Sequence, residues 1–99
     1  MGIDIALEEL YATGWSALDS AGCELDGQGR WVPTVSRIAE EFRGAGFALS
    51  VHHAQLFDCY RAVWMTAGGD PAGAVVGASE HEAAIYALAQ LRRQVAAVS

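Results

Sequence analysis

The chain of 99 residues contains no lysine and no asparagine, and its six basic residues are all arginine. Twelve acidic residues oppose those arginines, which gives a formal net charge of −6. A surface of this sign repels phosphate backbones unless the basic residues cluster tightly. Composition therefore argues against nucleic acid as a partner.

Cysteine is scarce, since Cys23 and Cys59 are the only two and they form no CxxC pair. A chain with 53% apolar residues can build a core without a disulfide, so we expect reduced thiols and a cytoplasmic protein. No apolar run reaches the length of a membrane span. No basic segment precedes an apolar run near the first residue, so we also expect no signal peptide.

Charge is unevenly distributed along the chain. Residues 1–30 hold six acids and one arginine, whereas residues 31–99 hold six acids and five arginines. We predict a single domain over residues 1–99. In this interpretation an acidic N-terminal helix and loop, residues 1–30, are attached to a nearly neutral core, residues 33–95.

Helical periodicity appears first near the N-terminus. Ile3, Leu7 and Leu10 recur at helical spacing and predict a helix from about Asp4 to Thr13. The glycines and acids of residues 19–30 predict an ordered loop without regular structure.

A second helix is predicted to begin near Pro33, because proline suits the first turn of a helix. Its apolar stripe falls at i, i+3, i+4 and i+7, and its end is marked by Gly44. Three strands then follow, over about residues 47–53, 57–67 and 73–78. They alternate apolar and polar residues or are rich in β-branched and aromatic side chains. The stripe of the second helix consists of Val35, Ile38, Ala39 and Phe42.

The start of the last helix carries the clearest local signal. Ser79 at the N-cap and Glu82 three residues later form a capping box, after which an alanine-rich run reaches Val95. The order of elements is therefore α-α-β-β-β-α. We predict an α+β fold whose three-stranded antiparallel sheet has two helices packed on one face, together with an extra N-terminal helix.

From Pro33 to Leu91 the sequence resembles the double-stranded RNA-binding domain. The resemblance is carried by the stripe of the second helix, by the run from Gly73 to Ser79, and by the alanine-rich helix that follows. It implies the α-β-β-β-α topology of that family. The family places lysines just after the serine to contact phosphates across a groove, but here those positions are Glu80 and His81.

Two constellations were weighed as chemical sites. Cys23, His52, His53 and Cys59 are metal-ligand types, but their spacing fits no zinc pattern and adjacent histidines on a strand point to opposite faces. Cys59 with His53 and Asp58 could form a nucleophilic site, although Asp58 and Cys59 also face opposite ways. We therefore predict no enzyme activity, no metal and no cofactor.

The second strand predicts an apolar surface. Alternate residues of a strand point to opposite faces, so Arg61, Val63 and Met65 share one face. The charge of Arg61 indicates that this face points away from the helices, while Tyr60 and Trp64 enter the core. An apolar sheet face needs cover. Either the N-terminal helix folds across it, which we favour, or another subunit does.

These observations favour a small non-enzymatic protein-interaction module, with an unknown protein partner or a homodimer. A nucleic-acid mimic that inhibits a basic partner is a further hypothesis, based on charge alone. The alternative function is double-stranded RNA binding through arginines, namely Arg37, Arg43, Arg61, Arg92 and Arg93. The candidate interaction surface for the favoured function comprises Arg61, Val63, Met65, Glu80 and His81.

Overall fold

The computed structural model describes residues 3–16 and 21–98, which form an α+β arrangement of three helices and two antiparallel sheets. The helices are α1 (Asp4–Ala12), α2 (Val35–Gly44) and α3 (Glu80–Val98). The strands are β1 (Cys23–Leu25), β2 (Trp31–Pro33), β3 (Phe47–Ala54), β4 (Cys59–Thr66) and β5 (Pro71–Gly77), with a 3-10 turn (Gln55–Phe57) between β3 and β4.

The larger sheet is a meander in the order β3-β4-β5, with both pairs antiparallel. Its register places Val51 opposite Ala62 and Trp64 opposite Gly73. A bulge interrupts the pairing of β4 with β5 between Trp64 and Met65. The predicted three-stranded antiparallel sheet is confirmed. Because directly opposed residues share a face, the register divides the sheet into an inner face, which carries Trp64, and an outer face.

The inner face is densely packed. Trp64 is fully buried, and its ring centroid lies 5.4 Å from that of Phe42 in α2. A Cβ atom on Gly73 would collide with the Trp64 indole, and one on Gly77 would lie 2.6 Å from the backbone nitrogen of Ala83 in α3. Glycine at both positions of β5 therefore allows a large ring and a helix backbone to approach the strand.

Helix α3 begins as the sequence predicts. Ser79 Oγ accepts a hydrogen bond from the backbone N–H of Glu82 at 3.1 Å. The Glu82 carboxylate reaches back to the N–H of Ala78 at 2.6 Å, one residue before the position of an ideal capping box. The small side chains of the helix bring its backbone close to its neighbours. Its fully buried residues include Ala83, Ala84, Ile85, Ala87 and Ala89.

Helix α1 packs against α3, which corrects the expectation that it covers the outer face of the sheet. Leu7 and Leu10 are fully buried in the same core as α3. At the end of α1, Thr13 Oγ1 accepts a hydrogen bond from Arg92 Nε at 2.7 Å. The expectation failed because α3 was assigned one apolar face, whereas Ile85 buries a second side of the same helix.

The smaller sheet is a hairpin of β1 and β2, in which Cys23 pairs with Pro33. It replaces the loop predicted for residues 19–30, of which Asp19 and Ser20 lie outside the described residues. The two strands have three residues each, too few to show a period of two.

The hairpin turn is organised by Asp26. Its Oδ1 accepts hydrogen bonds from the backbone N–H groups of Gln28 and Arg30, at 2.8 and 2.9 Å. The bond from the Arg30 backbone is the main reason that the pKa of Asp26 lies below its usual value. Arg30 also bonds the Asp4 carboxylate at 2.8 Å, which ties the hairpin to α1.

The sequence predicted Pro33 in the first turn of α2, but the structure places it at the end of β2. The N-cap of α2 is Thr34, whose Oγ1 accepts a hydrogen bond from the backbone N–H of Arg37 at 3.2 Å. Proline suits a strand end and a helix start alike, so the sequence could not separate the two. No helix within the described ranges combines the length and hydrophobicity that crossing a bilayer requires.

Candidate functional site

Among the residues that the structure describes, no helix is recorded on the outer face of the large sheet. Register places three rows of residues across it, each running from β3 through β4 to β5. The rows are His52–Arg61–Val76, then Ser50–Val63–Ala74, then Ala48–Met65–Pro71, with the pair Ala54–Cys59 at the end of the sheet near the 3-10 turn.

Exposure confirms that Arg61, Val63 and Met65 lie on the face opposite Trp64. Arg61 is exposed, whereas Val63 and Met65 are half-buried between flanking strands. Val76, opposite Arg61 on β5, is 59% exposed. The face therefore presents an apolar ridge along β4, flanked mainly by small side chains that add little cover.

The 3-10 turn extends this apolar character beyond the strands. Leu56 and Phe57 are 87% and 76% exposed, and they connect Ala54 to β4 at one end of the outer face. Asp58 follows them in the left-handed region with φ of 48°, a conformation that aspartate tolerates better than most residues. Two adjacent large apolar side chains at such exposure are unusual on a chain with no partner.

Arg61 carries the charge of the outer face. His52 lies opposite it on β3, and none of the strand positions of this face carries a carboxylate. Asp58 and Asp70 lie in the connections before and after β4, not on the face itself. Within the described residues, the Arg61 guanidinium has no ion-pair or hydrogen-bond partner.

Glu80 and His81 lie apart from the other three residues of the candidate surface. They open α3, which packs against the inner face through Ala83. His81 Nε2 donates a hydrogen bond to the Pro33 carbonyl at 2.7 Å, so its ring links α3 to β2. The predicted interaction surface is therefore two separate places, and only the part on β4 is apolar.

Sequence reasoning missed Val76, Leu56 and Phe57 as members of this surface. Val76 could have been placed by alternation only if the pairing of β5 with β4 were known, since a shift of one residue moves it to the other face. Phe57 was predicted to open the second strand, whereas the structure places it beside Leu56 in the 3-10 turn and begins β4 at Cys59.

The histidine and cysteine constellation is dispersed. The His53 ring stacks 4.8 Å from Tyr60 on the inner side, and its Nε2 lies 3.4 Å from Asp58 Oδ1. Cys59 pairs with Ala54 on the outer face, and no disulfide joins it to Cys23. Both cysteines are half-buried. Across residues 3–16 and 21–98, no group of three metal-ligating side chains could hold an ion.

Two shallow clefts of about 310 Å³ each lie beside α3. In the first, Glu41 already accepts hydrogen bonds from Trp15 Nε1 at 3.1 Å and Arg37 Nε at 3.0 Å. The polar groups of that cleft therefore have partners within the chain, and a small-molecule ligand would have to displace them.

The second cleft lies between α3 and β5 and contains an ion pair of Glu9 with Arg93 at 2.7 Å. Burial raises the pKa of the hydroxyl of Tyr86, which lines this cleft, above its usual value.

Three of the five arginines named for RNA binding are engaged by other groups of the chain. Arg37 bonds Glu41 on α2, Arg92 bonds Thr13, and Arg93 pairs with Glu9. Arg61 lies on the outer face of the sheet. Arg43, on the last turn of α2, has no partner among the described residues.

In comparison with known proteins, the chain matches no family model, no curated sequence and no solved structure. The α+β architecture and the three-stranded antiparallel sheet are shown by the structure, but no relative supports membership of the double-stranded RNA-binding family.

Proposed function

We propose that this chain is a small, non-enzymatic protein-interaction module that binds its partner through the outer face of the three-stranded sheet. The observation that carries this proposal is the uncovered apolar ridge of Val63 and Met65, bordered by Val76. The helix expected to cover the ridge packs against α3 instead. Apolar surface left in water is a cost that docking removes.

Two observations among the described residues favour binding over catalysis. The polar groups of the first cleft are bonded within the chain, and the nearest acid to His53 is a fully exposed aspartate with a weak 3.4 Å contact. A nucleophile would need a base within hydrogen-bond reach and an orienting group behind it.

Site-specific photo-crosslinking in the native host tests this function. We expect a photoreactive amino acid at Met65 to capture one protein of defined mass, whereas the same probe at exposed Glu40 on α2 should not. Nuclease treatment should leave the crosslinked product unchanged. Equal capture from both positions, or no capture from Met65, would contradict the proposal.

Double-stranded RNA binding through arginines is the competing function. It is supported by the predicted topology, but three of its five arginines are engaged by groups of the chain itself. If it held, binding to a duplex RNA would weaken steeply with salt and would be lost in Arg92→Glu with Arg93→Glu. We expect no binding above that of an acidic protein of the same charge.

A further inference from the structure

We infer that the occupant of the outer face is a single amphipathic helix of another protein, with apolar residues over Val63 and Met65 and a carboxylate over Arg61. This inference rests on the proposed function and names the class of partner. It is argued from the dimensions of the face and from its charge.

The face is about one helix wide. Three strands span roughly 10 Å between the axes of the outer two, and eight residues extend about 26 Å along a strand. A helix with its side chains is about 10 Å across, and about 17 residues cover 26 Å. One helix therefore covers the ridge on β4 together with the small residues beside it.

The charge of the face disfavours a second copy of this chain. A two-fold axis between two such sheets would enclose the Arg61 side chains of both copies. Because neither outer face has a carboxylate, both charges would be removed from water without a partner, which is strongly unfavourable.

Charge then selects the flank of the helix. Arg61 lies in the row with His52 and Val76, at one end of the ridge, and has no partner among the residues that the structure describes. A glutamate or aspartate beside the apolar stripe would pair with it in two-pronged geometry. A lysine at that position would be repelled, so the sign of this charge also excludes wrong partners.

The test is a selection from a displayed library of random 18-residue peptides against the purified protein, repeated against Arg61→Glu. Selected peptides are then synthesised and their affinities measured by fluorescence anisotropy. For the wild type we expect apolar residues at i, i+3, i+4 and i+7 with acidic flanks. For Arg61→Glu we expect the same stripe with basic flanks.

Variants then locate the binding of the wild-type peptides. Val63→Asp should weaken binding at least tenfold, and Arg61→Glu should do the same until the glutamates of the peptide are changed to lysine. Two controls match these changes in charge: Arg43→Glu on α2 for Arg61→Glu, and Gln28→Glu in the hairpin turn for Val63→Asp. Both should bind within twofold of wild type. Circular dichroism should show the same spectrum for each variant as for the wild type.

Failure of the inference and failure of the proposed function give different results. Peptides selected on the wild type could lack a helical stripe, or carry basic flanks, and still depend on Val63. That result would contradict the inferred helical partner but would leave the outer face as the binding surface. A dimer in sedimentation that Val63→Asp dissociates would assign the face to a second copy. Binding that neither Val63→Asp nor Arg61→Glu weakens would contradict the proposal that the outer face is the binding surface. A selection that yields no binders would contradict the inference that the partner is a helix.

Discussion

The two faces of the central strand, β4, differ in their exposure to water, although their residues alternate along the same eight positions. Ala62 and Trp64 on the inner face have no exposed surface, while Arg61, Val63 and Met65 on the outer face retain contact with water. Inner side chains meet backbone and rings of other elements at van der Waals distance. Outer side chains remain exposed or half-buried. Stability should therefore depend on the inner set, and binding on the outer set.

The largest expected effect is on the inner face, at Trp64. Trp64→Ala should lower the free energy of unfolding by about 3–5 kcal/mol, because it removes the side chain that fills the space between α2 and β5. Chemical denaturation monitored by circular dichroism measures this change.

Trp64→Phe serves as the matched control. It keeps a ring in place and removes an indole N–H that is buried without a partner in the described part of the chain. It should retain more than half of the stability lost in the alanine variant. An equal loss in both variants would show that ring size, not ring presence, is what the inner face requires.

The next effect concerns the backbone contact between β5 and α3. Gly77→Ala should cost about 1–3 kcal/mol, since its Cβ would lie 2.6 Å from the Ala83 nitrogen and one of the two elements must move. Ala74→Ser on the outer face of the same strand should change stability by less than ~0.5 kcal/mol. Thermal unfolding of the two variants compares the faces directly, and a tolerated Gly77→Ala would mean that α3 is not fixed against the strand.

A smaller effect is expected at Met65 on the outer face. Met65→Ser should change the free energy of unfolding by about 1 kcal/mol or less, because the side chain is only half-buried. Capture of the partner should nevertheless fall sharply. Denaturation and crosslinking from a neighbouring position measure the two properties separately. A large loss of stability would contradict the separation of folding from binding.

The smallest effect is expected in the hairpin of β1 and β2, which belongs to neither face of β4. The pKa of Asp26 is lowered in the folded chain, so its contribution to stability is present above the unfolded pKa of about 4 and is lost as pH falls through the folded value. Between pH 7 and pH 3 the wild type should therefore lose more stability than Asp26→Asn. Parallel unfolding curves for the two proteins across this range would contradict the role of Asp26 in the turn.

Local signals in the sequence predicted the elements that depend on neighbouring residues. The capping box of Ser79 and Glu82 lies within one turn of helix and the stripe of α2 within about two, so their residues reveal them without knowledge of the fold. The hairpin of β1 and β2 was missed because three-residue strands leave no periodic pattern.

The candidate surface was predicted in part. Arg61 on a strand of alternating residues indicated which side faces away from the helices, and the structure agrees. Its rows and their limits required the register of both neighbouring strands, and the place of α1 required knowledge of a second apolar side on α3. Glu80 and His81 were singled out because they stand where the resembled family has lysines, but they open α3, which packs against the opposite side of the sheet.

The sequence by itself determined the α+β class, the antiparallel meander and the start of α3, because periodicity and capping are properties of residues close along the chain. Only the tertiary structure decided where α1 packs and therefore which surface stays uncovered. The free energy of burying an apolar stripe is nearly the same against any apolar surface, so the stripe of α1 does not specify its partner. The packing of α1 depends on the shape and extent of α3. That helix lies about seventy residues away in the sequence, so its surface exists only in the folded chain.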